Sequence, residues 1–129
     1  MKIHHVGYLV KDINKALKEF GKIGFILIQE ICYDSFRDIE ICFVENSGYI
    51  LELVSPKSEE SIAWNLLKKY GNAPYHICYI VENLEETVSN LKDQGYVLVA
   101  EPKEAIALRS KKVAFLIGRN MGLIELVEI

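Results

Sequence analysis

The sequence predicts an α+β protein built from two βαβββ modules in tandem, and three observations support this class. The first is an internal repeat, in which residues 5–30 match residues 76–101 at a constant offset of 71. The second is the order of apolar patterns in each copy. A run typical of a strand comes first, a stripe typical of a helix follows, and three more runs typical of strands come last. The third is length, because 129 residues suffice for one core shared by two similar units.

Module one is predicted to cover about residues 1–55. Its first strand spans residues 2–10, and alternate residues of this strand point to the same face. That face consists of Ile3, His5, Gly7 and Leu9. A helix follows, with Asp12 as its N-cap and with Gly21 and Gly24 at its end. The inward stripe of this helix is Ile13, Ala16, Leu17 and Phe20.

Three more strands complete module one, and a connecting helix leads to module two. The strands are predicted at residues 25–28, 39–44 and 49–54, with a hairpin around Asn46-Ser47-Gly48. Ser55-Pro56 is expected to end the strand pattern. The connection covers about residues 56–72, with a helix from about residue 58 to 70. The side chains expected to pack inward are Ile62, Leu66 and Trp64.

Module two is predicted to cover about residues 73–129 and to repeat the order of module one. The strand at 75–81 precedes a helix at 84–93. The remaining strands are expected at 96–100, 113–117 and 123–127, with a loop at 102–111. No interdomain linker interrupts the chain, so residues 1–129 are expected to form a single domain.

Composition excludes several classes of protein. The net charge is −3 and the fifteen Lys and Arg residues are scattered, so no nucleic-acid partner is expected. No apolar run reaches the ~20 residues that a bilayer crossing requires, and no signal peptide opens the chain. Three cysteines without CxxC spacing indicate reduced structural thiols. The expected location is therefore cytoplasmic, without membrane association.

Histidine and glutamate recur at matching places of the repeat. His5 corresponds to His76, whereas His4 corresponds to Tyr75, so His5 is the histidine expected in the site. Glu52 and Glu125 each interrupt an apolar strand, where burial of a carboxylate is costly unless a cation or strong hydrogen bonds compensate. Two imidazoles and two carboxylates suit one divalent ion such as Zn, Ni, Co, Mn or Fe. The alternative is a ligand pocket of the same geometry without metal.

These pieces of sequence resemble the vicinal oxygen chelate superfamily, which comprises glyoxalase I, methylmalonyl-CoA epimerase, extradiol dioxygenases and bleomycin-resistance proteins. The resemblance spans the whole chain and looks closest to the epimerase and to bacterial glyoxalase I-like proteins. The pieces that carry it are His5-Val-Gly-Tyr-Leu-Val10, Leu51-Glu-Leu-Val-Ser-Pro56, Tyr75-His-Ile-Cys-Tyr-Ile-Val81, Val113-Ala-Phe-Leu116 and Gly122-Leu-Ile-Glu-Leu126.

The resemblance implies a curved mixed sheet around a metal held by His5, Glu52, His76 and Glu125. It implies an isomerase or lyase that removes a proton α to a carbonyl or thioester polarised by one divalent metal ion (Ni, Co, Zn or Mn). Glu125 is the expected ligand and base, and Glu52 is its symmetry-related candidate. The substrate would be a thiohemiacetal or an acyl-CoA, and the protein a homodimer.

Two stretches depart from the pattern of the epimerases. Residues 105–112 replace a stretch that is usually rich in Gly and His, and no Glu stands where a second acid/base is usual. Asp34 or Asp38 would have to serve there. An extradiol dioxygenase is disfavoured by the fourth potential ligand and the short chain. The remaining alternative is a non-catalytic binding or resistance protein of the same fold.

Overall fold

In the computed structural model, which describes residues 1–129, eight strands and three α-helices alternate as two βαβββ modules. Module one consists of β1 (Lys2–Leu9), α1 (Ile13–Lys22), β2 (Ile26–Asp34), β3 (Ile39–Asn46) and β4 (Tyr49–Pro56). The connecting helix is α2 (Ile62–Tyr70). Module two consists of β5 (Ala73–Val81), α3 (Leu84–Asp93), β6 (Val97–Ala105), β7 (Lys111–Gly118) and β8 (Gly122–Glu128).

The four strands of each module form a mixed arrangement of parallel and antiparallel pairs, which confirms the predicted α+β class. Within module one the strand order is β2-β3-β4-β1, with β1 parallel to β4 and the other pairs antiparallel. Module two has the order β5-β8-β7-β6, again with one parallel pair, β5 and β8. The repeat in the sequence is therefore a repeat in strand pairing.

The chain divides into two compact units, His5–Tyr75 and His76–Ile129, with Met1–His4 grouped with the second unit. The division falls within β1 and at the start of β5. That residues 1–129 act as a single domain stays a prediction. No helix combines the length and apolar character that a bilayer crossing requires.

Each module buries the apolar stripe of its helix against its own strands. In module one Ile13 lies in the interior beside Val10, and in module two Leu84 lies beside Val81. Burial of a side chain of this size stabilises the fold by about 1.5–3 kcal/mol. The remaining buried members of the two clusters are Cys42, Val44 and Leu53 in module one, and Val88, Ala114, Leu116, Ile124 and Leu126 in module two.

The start of α1 is capped by Asp12, as the sequence predicts, and the start of α3 is capped by Asn83, for which no prediction was made. The Asp12 carboxylate accepts a hydrogen bond from the Lys15 amide at 3.0 Å, and the Asn83 side chain accepts one from the Glu86 amide at 3.0 Å. These bonds satisfy amides that the helix itself leaves without a partner. The β3–β4 hairpin is also confirmed, because Asn46 pairs with Tyr49 and leaves a two-residue turn, Ser47-Gly48, with positive φ at both residues.

The structure corrects several boundaries. β2 runs to Asp34 and β6 runs to Ala105, whereas the sequence predicted strands of four and five residues. Both strands contain register shifts against their neighbours, between Leu27 and Cys32 and between Leu98 and Lys103. Such bulges break the period of two by which a strand is recognised in a sequence.

Three other expectations were wrong. The predicted loop at 102–111 consists of the end of β6, a 3₁₀ turn at Ile106–Leu108 and the start of β7. β4 continues through Ser55-Pro56 instead of ending before it. On α2, Ile62 is 78% exposed and Ala63 is the buried residue, because the helix begins at Ile62, four residues later than expected.

Candidate metal centre

In module one, His5 and Glu52 come together from the neighbouring parallel strands β1 and β4. Alternation along β1 buries His5, Gly7 and Leu9, as the sequence predicts. Gly7 lies opposite Glu52 in the strand register. His5 Nε2 lies 3.6 Å from Glu52 Oε1, and both side chains are buried.

Module two repeats this arrangement with β5 and β8. Cys78 takes the place of Gly7 and lies opposite Glu125 in the register. His76 Nε2 lies 2.9 Å from Glu125 Oε2, and both side chains are again buried. The shorter distance makes this pair a direct contact, whereas the pair in module one is looser.

The sequence analysis missed a third member of each arrangement, a phenylalanine. Phe43 lies opposite Glu52 across β3 and β4, and Phe115 lies opposite Glu125 across β7 and β8. A signal was present, because Ile41-Cys-Phe-Val44 parallels Val113-Ala-Phe-Leu116 at an offset of 72. Aromatic residues in apolar strands are ordinary core residues, so this match alone did not indicate a part in the site.

Each module thus offers one imidazole and one carboxylate that could bind a metal ion, His5 with Glu52 and His76 with Glu125. The donor set fits a divalent cation of the borderline class, since imidazole nitrogens and carboxylate oxygens are its usual ligands. Burial points the same way, because carboxylates withdrawn from water need a cation or strong hydrogen bonds.

The two other carboxylates considered as a second acid/base are engaged in the β2–β3 turn. Asp34 is buried and accepts hydrogen bonds from the Arg37 amide and from Arg37 Nη1, at 3.0 and 2.8 Å. Asp38 accepts hydrogen bonds from the hydroxyls of Tyr33 and Ser58. These bonds, led by that of Ser58, lower the pKa of Asp38. Both residues therefore have structural partners within the turn.

The basic and aromatic side chains that could contact a substrate outside the histidine–glutamate pairs are mostly exposed. Tyr49, on the hairpin turn, is 75% exposed, and Tyr33 is also exposed, whereas Trp64 is half-buried. The exposed basic residues are Arg109, Lys111, Lys112 and Arg119. Arg37 is engaged with Asp34.

One groove of module one lies on the side of β1 that faces α1. It has a volume of about 620 Å³, and Tyr8 and Val10 line it together with helix residues. His5 points to the other face of β1, since strand residues alternate. The groove is thus separate from the histidine–glutamate pair.

Comparisons with known proteins agree with this geometry. A model of the Glyoxalase/Bleomycin resistance protein/Dioxygenase superfamily matches residues 2–115. The mitochondrial methylmalonyl-CoA epimerase of Homo sapiens is 28% identical over 128 residues, which are 97% of this chain and 72% of that protein.

Two solved structures are similar over nearly the whole chain. The crystal structure of methylmalonyl-CoA epimerase from Mycobacterium tuberculosis has a TM-score of 0.84 and 26% identity, and the match covers 98% of this chain and 86% of that one. A hypothetical protein from Bacillus halodurans C-125 has a TM-score of 0.88 and 29% identity, covering 99% and 94% of the two chains. Similarity to epimerases supports an enzyme of the isomerase type.

Proposed function

The chain belongs to the Glyoxalase/Bleomycin resistance protein/Dioxygenase superfamily, and within it we propose a metal-dependent epimerase that acts on a 2-substituted acyl-CoA thioester. The observation that carries this proposal is the buried histidine–glutamate pair that each module places on neighbouring parallel strands, with nitrogen–oxygen distances of 3.6 and 2.9 Å. The similarity to methylmalonyl-CoA epimerases supports the choice of substrate class.

His5, Glu52, His76 and Glu125 would hold one divalent ion. When bound, the ion would supply Lewis acidity towards the thioester carbonyl, a contribution of several kcal/mol to stabilising the negative charge that develops there. The residues themselves exclude water, since all four side chains lie in the interior. Exclusion of water strengthens every electrostatic interaction at the site.

Glu125 is the proposed catalytic base. Its carboxylate would take the proton from the carbon α to the thioester, a step that contributes about 10²–10⁴-fold when the base is well placed. The contact with His76 fixes the position of this carboxylate. Epimerisation then requires a proton to reach the opposite face of the same carbon. Glu52 occupies the matching place in module one and is our candidate for the group that delivers this proton.

Metal analysis is the direct test of the site. Purified protein should contain about one equivalent of Ni, Co, Zn or Mn, and the double variant His5→Ala, His76→Ala should lose it because only the two carboxylates remain. Elemental analysis by mass spectrometry measures both. Native protein that takes up none of these ions, even after incubation with each, would contradict the proposal.

Replacement of the base tests the chemistry separately. Glu125→Gln should reduce turnover of methylmalonyl-CoA by at least about 10²-fold, since an amide cannot accept the proton. Exchange of the α-proton in D₂O, followed by mass spectrometry, measures the step itself. Glu101→Gln, at an exposed position, is the matched control. Equal exchange in Glu125→Gln and Glu101→Gln would remove Glu125 from the mechanism.

A further inference from the structure

Each module places a phenylalanine ring against the imidazole of its own histidine. The ring centroids of Phe43 and His5 are 5.3 Å apart with an angle of 81° between the planes. Those of Phe115 and His76 are 5.4 Å apart with an angle of 87°. The two contacts therefore agree within 0.1 Å and 6°, and both have the perpendicular geometry that aromatic rings prefer.

The strand register explains why the two contacts are alike. Phe43 pairs with Glu52, and Phe115 pairs with Glu125, so each ring stands on the same face as the glutamate of its module. The phenylalanine thus lies in a row with the glutamate and next to the histidine. A ring at this place limits how far the imidazole can rotate.

We propose that Phe43 and Phe115 are positioning residues, which hold the planes of the His5 and His76 imidazoles in the orientation that metal binding requires. The inference rests on the metal site proposed above. The lone pair of an imidazole nitrogen lies in the plane of the ring, so rotation of the ring turns the lone pair away from the ion. Groups that orient a metal-binding histidine from outside the ligand set commonly change metal affinity by 10–100-fold.

The first test measures Co²⁺ affinity in variants that remove one ring each. Phe43→Leu and Phe115→Leu should each weaken Co²⁺ binding about tenfold, measured by titration of the visible absorption of the protein–Co²⁺ complex. Affinities equal to that of the native protein in both single variants would overturn the proposal.

Phe20→Leu is the matched control for loss of an aromatic contact. Phe20 makes perpendicular contacts with Tyr8 and Phe25, at 5.1 and 5.4 Å, on the side of β1 opposite to His5. This variant should lower the midpoint of thermal unfolding of the metal-free protein and leave the Co²⁺ affinity unchanged. A tenfold loss of affinity in Phe20→Leu as well would show a general effect of stability and overturn the positioning role. Phe115→Tyr keeps the ring and should retain the native affinity.

A second readout needs no metal. In the metal-free protein, long-range ¹H–¹⁵N correlation spectra report each imidazole, and Phe43→Leu should shift or broaden the signals of His5 while those of His76 stay unchanged. Phe115→Leu should do the reverse. If the native protein binds no Co²⁺, the proposed function fails, and these spectra still decide the positioning role. Unchanged imidazole signals in both variants would overturn it.

Discussion

Cys42 lies in the interior of module one with none of its surface exposed, and this burial raises the pKa of its thiol from 9.0 to about 12. Neighbouring groups on β2 and β4, Cys32, Glu30 and Glu52, act in the same direction because their negative charge disfavours a thiolate. In the unfolded chain the thiol ionises near its ordinary value. The folded state therefore holds this proton more tightly than the unfolded chain does. The resulting stabilisation of the folded state is complete only below pH 9.

We expect the native protein to lose stability between about pH 9 and pH 12, where the unfolded thiol is ionised and the folded one is still protonated. In Cys42→Ala the stability should fall less steeply over this pH range. Its stability at pH 7 should be lower than that of the native protein, because removal of the sulfur leaves a cavity. Urea denaturation at a series of pH values measures both slopes. Other titrating groups are common to the two proteins, so parallel slopes would show that Cys42 contributes nothing.

Some residues of the candidate site could be predicted from the sequence and others could not. The two histidines and two glutamates were predicted because a repeat sets them at equal places, and polar residues in apolar strands stand out. Phe43 and Phe115 were missed because an apolar residue in a strand carries no sign of which neighbour it touches. Only the strand register, which depends on turns and bulges elsewhere, sets each ring beside a histidine.

The N-caps of α1 and α3 give a prediction at the scale of the element. Asp12→Ala and Asn83→Ala should each lower the free energy of unfolding by about 1 kcal/mol, because each removes the acceptor of one amide at the helix start. Denaturation with urea measures the loss. Asp93→Ala, at the exposed last residue of α3, is the control. A loss no greater than that of the control would show that water replaces the caps without cost.

Elements with a regular pattern were predicted well, and those with an interrupted pattern were not. The bounds of α3 agree at both ends, since Asn83 caps it and its apolar stripe is unbroken. β2 and β6 were predicted too short because each contains bulges, after which apolar residues no longer alternate. The 3₁₀ turn was missed because Arg109 and Ser110, rather than glycine, take positive φ at its end.

At the scale of the whole molecule, each of the two edge strands exposes neighbouring apolar residues. β2 exposes Ile26, Leu27 and Ile28, and β6 exposes Val97 and Val99. An exposed apolar edge is where a sheet pairs with another chain. The two strands occupy matching places in the repeat, so a surface of this kind occurs twice in the molecule. We therefore expect a homodimer in which at least one of these strands is covered.

Sedimentation equilibrium measures the oligomeric state. The native protein should be a dimer, and either Ile26→Lys or Val97→Lys should shift it towards monomer, because a lysine at the contact would be buried without a partner. Ile62→Lys changes an equally exposed apolar residue on α2 and should leave the dimer intact. A native protein that sediments as a monomer at micromolar concentration would refute the expectation.

The position two residues after each histidine makes the two modules differ in their vulnerability to oxidants. It is Gly7 in module one and Cys78 in module two, and the sulfur of Cys78 lies in the row that contains Glu125. Oxidation to a sulfinic acid would add a negative charge and two oxygens at a place without exposed surface. Peroxide can reach this sulfur only when β5 opens locally. Conditions that speed hydrogen exchange in β5 should therefore also speed inactivation by peroxide, and Cys78→Gly should slow the inactivation.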